Sequence, residues 1–237
     1  TSSNAMAEYF MGLGPSVVPL PDGVPQEQLL MAQPLGTVIY CLKRLGHWFN
    51  AEVAIVGQGP MGLLFTTMMR NMGASLIIGI DQHDNRLEAA KQMGATHTVN
   101  ISDTDPIEAV TEITGGRLAD LVIEVVGEED SFNLCIQLAR RKGHFINFGV
   151  PRRTQYTADI FELFRRNLQL TTSVGPDIHI DFKSAMQMIG EKRVDLAPMI
   201  SHKLPFARSQ EAFELATKRK GECIKIVVDF EEKKIVR

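Results

Sequence analysis

The chain has 237 residues, 44% of them hydrophobic and 22% charged, and a net charge of −3. That length is enough for one large domain or two small ones with a sizeable core. The nearly balanced charge offers no basic face for nucleic acid or an anionic membrane, and no apolar run approaches the roughly 20 residues of a membrane span. Cys41, Cys135 and Cys223 are odd in number and form no CxxC, so the sequence predicts free thiols and a cytoplasmic location. No secretory signal is visible. Ser3-Asn4-Ala5-Met6 reads either as a protease-cleavage scar ahead of a start Met or as native chain.

Residues 1–33 are irregular and proline-rich, with a short strand expected at Val17, Val18 and Leu20 before the turn Pro21-Asp22-Gly23. A helix is expected from Pro34 to Leu45, with Leu35, Val38, Ile39 and Leu42 on one face and Gly46 ending it. An alternation follows. Strands read at 52–57, 75–80, 96–99, 119–125, 143–148 and 168–173, and helices at 61–72, 84–93, 104–113, 129–140 and 159–166. The strand runs are mostly apolar rather than alternating, as a parallel sheet covered by helices on both faces requires. The pattern predicts a doubly wound α/β fold of the Rossmann type, six strands in the order 3-2-1-4-5-6.

After Gly175-Pro176 the alternation stops. A helix at 180–190, an extended run Met199 to Leu204, a helix at 208–219 and a terminal strand Ile224 to Phe230 read as part of another unit. The charge runs Lys218-Arg219-Lys220 and Glu231-Glu232-Lys233-Lys234 read as solvated surface.

The motif with chemical content is Gly57-Gln58-Gly59-Pro60-Met61-Gly62. It follows the strand Val53 to Val56, opens a helix, and is followed by a strand that ends in Asp81. Strand, glycine turn, helix, strand and acid make the dinucleotide-binding fingerprint in its required context. Gly57 permits the tight turn, Gly59 lets backbone N–H groups approach a pyrophosphate, and Gly62 lets the helix pack close to the strand. The helix N-terminus adds unpaired N–H groups and a partial positive charge. Asp81 can accept hydrogen bonds from the adenosine ribose hydroxyls and repels a 2′-phosphate, which predicts NAD rather than NADP.

Further residues carry a family resemblance: Pro19-Leu20-Pro21-Asp22-Gly23, Gln33-Pro34-Leu35, Arg86-Leu87-Glu88, Met93-Gly94-Ala95, Asp120 to Gly127, Gly143 to Gly149, Thr172 to Gly175 and Ile224 to Val227. With the glycine motif and Asp81, they resemble the medium-chain zinc-type alcohol and polyol dehydrogenases along essentially the whole chain. The resemblance implies that residues 1–33 are the end of a GroES-like catalytic domain, 34–175 the NAD-binding Rossmann domain, and 176–237 the segment that returns to the catalytic domain. It also implies that the larger part of the catalytic domain, with its zinc ligands and most of the substrate pocket, is not in this chain.

Residue chemistry points the same way. A catalytic zinc needs three converging protein ligands, and none of the six histidines has a short-spaced Cys or His partner. No Ser/His/Asp or Cys/His arrangement can be read from spacing, so no catalytic residue is assigned. His202 falls in an extended run and reads as a packed or surface histidine. Gln33 stands where the polyol branch has a Glu at or beside the zinc, and Tyr40 where a His is common. A neutral amide is a poor zinc ligand. Zinc is therefore expected only in a longer parent.

The resemblance assigns the cofactor site residue by residue. Gly57, Gly59, Pro60, Met61 and Gly62 cradle the pyrophosphate, and Asp81 holds the adenosine ribose with Arg86 nearby. Val126 and Gly127 lie beside the adenine and ribose. Phe148, Gly149 and Val150 meet the nicotinamide amide through backbone groups, and Ser173 and Val174 lie near the nicotinamide ribose. Lys225 replaces an Arg that reaches the pyrophosphate, keeping the charge without the bidentate fork. For Val126 and Phe148, simple core packing is the competing reading.

Three functions follow. The first is the NAD-binding portion of a dehydrogenase that moves hydride between nicotinamide and a small-molecule alcohol or ketone. The second is a non-catalytic NAD-binding module, a truncated product or a sensor. The third is a zinc-free quinone-reductase-like enzyme, which takes NADPH and is disfavoured by Asp81; a methyltransferase Rossmann fold is disfavoured by Gly62. The family also implies a homodimer through residues 168–173, an outer strand with no proline or charge to blunt it.

Overall fold

The computed structural model describes Gly14, residues 17–218 and residues 221–230. The expectations on Ser3 to Met6, Pro15, Arg219-Lys220 and Glu231 to Lys234 lie outside the described residues. Two short helices come first, α1 (Gln26–Leu29) and α2 (Ala32–Lys43). There follow β1 (Glu52–Val56), α3 (Pro60–Asn71), β2 (Leu76–Asp81), α4 (Asp84–Gln92), β3 (His97–Asn100), α5 (Pro106–Ile113) and β4 (Ala119–Glu124). Then come α6 (Glu129–Leu138), β5 (Ala139–Asn147), α7 (Ile160–Arg166) and β6 (Gln169–Thr172). The chain continues through a π-helical turn (Ile178–Phe182), α8 (Lys183–Gly190), β7 (Ile200–Pro205), α9 (Ser209–Lys218) and β8 (Lys225–Asp229).

Six parallel strands pair in the order β3-β2-β1-β4-β5-β6. This is the order the alternation predicts. The strands read as continuous apolar runs because both faces are covered. On β1, Val53 and Ile55 enter a core with α2, α3 and α8, while Ala54 and Val56 enter a second core with α5 and α6. Phe145 and Ile146 of β5 divide between the two cores in the same way.

Several expectations need correction. Val17, Val18 and Leu20 form no strand, and the stretch read as irregular contains α1. The helix expected from Pro34 begins at Ala32; Pro34 sits in its first turn, where a missing N–H costs no helical hydrogen bond. Residues 139 and 140, read as the end of a helix, begin β5 instead. Ala139 pairs with Ala119, and the register then shifts across Lys142, whose φ is 60°. Gly143 fits that shift, since a Cβ there would lie 2.8 Å from the Arg140 carbonyl oxygen.

Residues after Gly175 do not extend the main sheet. The π-helical turn presses on α2 through Phe182, whose ring leaves no room for a side chain at Gly36; a Cβ there would lie 2.5 Å away. Asp181, buried in that turn, accepts from Lys43 Nζ at 3.0 Å and from the Asp177 amide at 2.9 Å. Ala185, Met186, Met188 and Ile189 of α8 join the α2–α3 core. Strands β7 and β8 pair in parallel as a separate two-stranded sheet.

Candidate functional site

The site begins where β1 ends. Gly57 has φ +97°, and a Cβ on it would meet Val126 Cγ2 at 2.8 Å. Both facts restrict the position to glycine. Its amide donates to the Ile80 carbonyl at 2.8 Å, which ties the turn to β2. Gly59 is the N-cap of α3 with Pro60 at its first position, where proline is pre-organised for the helix. Leu63 N–H returns to Gly59 O at 3.0 Å, so the N–H groups of Met61 and Gly62 precede the helical ladder and have no acceptor within it. The space around Gly59 is open, with only Arg86 Nη1 at 3.8 Å from a Cβ position. Gly62 is the reverse case: a Cβ there would collide with the Gly57 carbonyl oxygen. Turn and helix are thus in backbone contact, and the cradle opens on the Gly59 side.

Asp81 closes the next side. It is buried, and its Oδ2 accepts from the Gln58 amide at 2.7 Å, while Oδ1 accepts from the amides of Gln82 and His83 at 2.8 and 3.0 Å. Arg86 Nη1 is 3.5 Å from Oδ2. A carboxylate has about four acceptor positions, so the long Arg86 contact leaves room for a ligand hydroxyl. The Gln58 side chain turns inward, donating to Ile55 O at 3.2 Å and accepting from Thr66 Oγ1 at 2.9 Å. Gly79 makes room for it, since a Cβ there would lie 3.1 Å from the Gln58 Cδ.

A cleft of about 400 Å³ joins this cradle to the C-terminal segment, lined by Pro60 and Arg86 on one side and Cys223, Lys225 and Ile226 on the other. The structure therefore brings Pro60, Arg86 and Lys225 together across some of the longest sequence separations in the chain. Gly221 packs on the His83 ring, 3.1 Å from a Cβ position.

The far side of the crevice is made by the turns after β4 and β5. Gly127 (φ +81°) and Gly149 are in backbone contact: a Cβ on Gly127 would collide with the Val150 carbonyl, and one on Gly149 with the Gly127 amide. Tyr156 donates its hydroxyl to Gly127 O at 2.5 Å, and Arg152 bridges to Glu128 at 2.7 Å, so the loop after β5 is pinned onto the turn after β4. Val126, Val150 and Val174 are 39%, 83% and 85% exposed, an apolar series at the carboxyl ends of β4, β5 and β6. Phe148 is different. Its ring meets Phe65 edge-on at 4.8 Å and packs, partly buried, against the α2–α3 core. Ser173 is half-buried beside exposed Val174.

Glu124 is not among the site residues expected from the sequence, yet it underlies both turns. It is fully buried at the end of β4. Its Oε1 accepts from the amides of Val126 and Gly127 at 2.7 and 2.8 Å and from Ser131 Oγ at 2.7 Å. Its carbonyl accepts from the amides of Phe148 and Gly149, both at 3.0 Å. One residue thus holds both turns. The signal available was a lone acid closing an apolar strand.

Among the described residues, no group of three or more His, Cys, Asp or Glu is placed to hold a metal ion. Gln33 lies on α2 near Thr37 at 3.4 Å, Cys41 is buried in the α2 core, and His202 on β7 contacts Ser201 Oγ at 3.0 Å. These residues do not assemble a zinc site. Cys41, Cys135 and Cys223 are free and buried, and burial pushes the Cys41 and Cys135 thiols above the usual range. No helix among the described residues is long and apolar enough to cross a membrane.

Comparison with known proteins supplies the context. The family model described as zinc-binding dehydrogenase matches residues 60–191. The chain is 29% identical over 228 residues to L-threonine 3-dehydrogenase of Bacillus subtilis strain 168, covering 96% of this chain and 65% of that protein. L-idonate 5-dehydrogenase from Escherichia coli K-12 superposes with a TM-score of 0.80 at 25% identity, covering 90% of this chain and 60% of that one. The fold is also that of the short chain alcohol dehydrogenase rspB from E. coli CFT073, complexed with cofactor NADH, at a TM-score of 0.80 and 20% identity over 90% and 62% of the two chains. The chain spans less than two thirds of the length of the relatives it matches.

Proposed function

Since the chain belongs to the zinc-binding dehydrogenase family, we propose that it is the cofactor-binding portion of an alcohol or polyol dehydrogenase and that its crevice takes NAD. The observation that carries this is the cradle itself. Gly57 and Gly62 bring β1 and α3 into backbone contact, Gly59 leaves the helix N-terminus open, and the amide of Gln58 in that turn is tied directly to Asp81. That is an anion site beside a diol acceptor, the two requirements of a dinucleotide.

In this reading, the N–H groups of Met61 and Gly62 and the charges of Arg86 and Lys225 hold the pyrophosphate across the cleft they line. Asp81 accepts the adenosine ribose hydroxyls and repels a 2′-phosphate. The residue after the acid is the uncharged Gln82, and Arg86, 3.5 Å from Asp81 Oδ2, offsets only part of that repulsion. Val126 and Gly127 border the adenine and ribose; Gly149, Val150, Ser173 and Val174 border the nicotinamide half, with the exposed valines excluding water from one ring face. When bound, the nicotinamide supplies hydride exchange with an alcohol or ketone carbon. The residues of this chain bind and orient it. No step is assigned to zinc, because the described residues do not assemble a site for it.

Residues 34–175 are the cofactor domain in this proposal, and residues 1–33 and 176–237 belong with the catalytic domain. A homodimer through 168–173 fits the exposure of β6, which among the described residues pairs only with β5 and leaves Leu170 45% exposed. Three free thiols suit the cytoplasm. Isothermal calorimetry of the 237-residue chain with NAD tests the central reading: one site per chain is expected, and no heat of binding at millimolar cofactor overturns it.

A further inference from the structure

Glu124 is an acid in the wrong place for a purely structural residue. It is fully buried, and its three partners, the amides of Val126 and Gly127 and the hydroxyl of Ser131, are all neutral donors to one oxygen. The other oxygen, Oε2, has no hydrogen-bond partner. That oxygen faces the turn after β5, where a Cβ on Gly149 would lie 2.5 Å from it. Exposed Val150 is the next residue. The charge therefore sits one glycine behind the crevice wall, in a region of low dielectric.

A buried charge without a counter-ion costs several kcal/mol unless something compensates it. The two redox forms of a nicotinamide differ in just this respect, because the ring is positive when oxidised and neutral when reduced. We propose that Glu124 is a specificity-determining residue for redox state: its carboxylate, directed at Gly149, biases the crevice toward the oxidised dinucleotide. This rests on the reading that the crevice takes NAD with its nicotinamide half against Gly149 and Val150. Glu124 touches no cofactor atom in this arrangement. It acts through the field across the glycine, and it holds the Val126–Gly127 turn at the same time.

The test is the ratio of affinities for NAD⁺ and NADH, measured by calorimetry and by NADH fluorescence on the intact 237-residue chain, with AMP as a probe of the adenosine half. Glu124→Gln keeps the shape and one oxygen acceptor but removes the charge. It is expected to shift the ratio toward NADH by about threefold to tenfold, the range for a unit charge acting over several ångströms at intermediate dielectric, while AMP reports any loosening of the Val126–Gly127 turn, which would weaken both redox forms alike. Ser131→Ala provides the opposite case. It keeps the charge and removes one donor that partly neutralises it, so the ratio should move toward NAD⁺. This variant also decides the matter if Glu124→Gln fails to fold. Binding of both redox forms with ratios unchanged in the folded variants overturns the inference and leaves the cofactor reading intact. Failure of the unsubstituted chain to bind any dinucleotide overturns both.

Discussion

The Asp81 carboxylate accepts the backbone N–H of Gln58 at 2.7 Å, so the acid at the end of the second strand is fastened to the glycine turn at the end of the first. The two halves of the fingerprint are therefore one mechanical unit. Asp81 holds the turn, and in the proposed reading it also receives the ribose, so a substitution there is expected to be felt in both.

Cofactor choice follows from that carboxylate. NAD should bind more tightly than NADP by about 1–3 kcal/mol, the range for a single charged contact, and toward its lower end because the Arg86 guanidinium lies 3.5 Å from Asp81 Oδ2. Asp81→Ser should narrow the gap. It should also cost about 1–3 kcal/mol of stability, because the amides of Gln58, Gln82 and His83 lose their acceptor. Calorimetry with both cofactors and a denaturant titration read the two effects separately. A preference for NADP would contradict the assignment.

The glycines of the cradle should behave oppositely. Gly62→Ala places a methyl against the Gly57 carbonyl and must push helix and strand apart, costing about 1–3 kcal/mol of stability as well as dinucleotide affinity. Gly59→Ala meets open space at a φ of −66°, so the fold should be unaffected while affinity falls. Melting temperatures for the pair, set beside their cofactor affinities, check this. Equal destabilisation by both would contradict the geometry.

The exposed edge gives a third prediction. Leu170 lies in β6, pairs with Phe145 on one side only, and is 45% exposed. Leu170→Lys leaves the ladder with β5 intact and adds a charge that blunts edge pairing. Light scattering should show a dimer for the unsubstituted chain and a weaker one for this variant. A monomer at concentrations on the order of tens of micromolar in the unsubstituted chain would remove the edge as an interface.

His144 supplies a pH dependence. Burial lowers its pKa below the usual imidazole value; the ring meets Trp48 edge-on at 5.6 Å, and its Nε2 lies 2.8 Å from Thr171 Oγ1. With the folded pKa depressed, the unfolded chain binds the proton more readily. The contribution of His144 is thus fully present above about pH 6.5 and is lost as pH falls toward the folded value. The ring is partly exposed, so after solvent screening the effect should stay below about 1 kcal/mol. Thermal melts between roughly pH 7.5 and 5 should show a smaller decline for His144→Asn than for the unsubstituted chain.

The sequence by itself determined the order of strands and helices, the parallel sheet and the place of the glycine turn. Those signals are local: apolar runs flanked by glycine, a helix period, and an acid closing a strand, each legible within a dozen residues. Helix ends and short elements such as α1 and the start of β5 were misread because they depend on packing against distant chain. Only the tertiary structure decided that the Gln58 side chain turns inward while its amide serves Asp81 and that the Phe148 ring packs on Phe65, whereas the place of Lys225 beside Pro60 and Arg86 was already expected from the family resemblance. It alone revealed Glu124 as the common anchor of two turns, because a buried acid is identified by its partners, and those partners come from other segments brought close by folding.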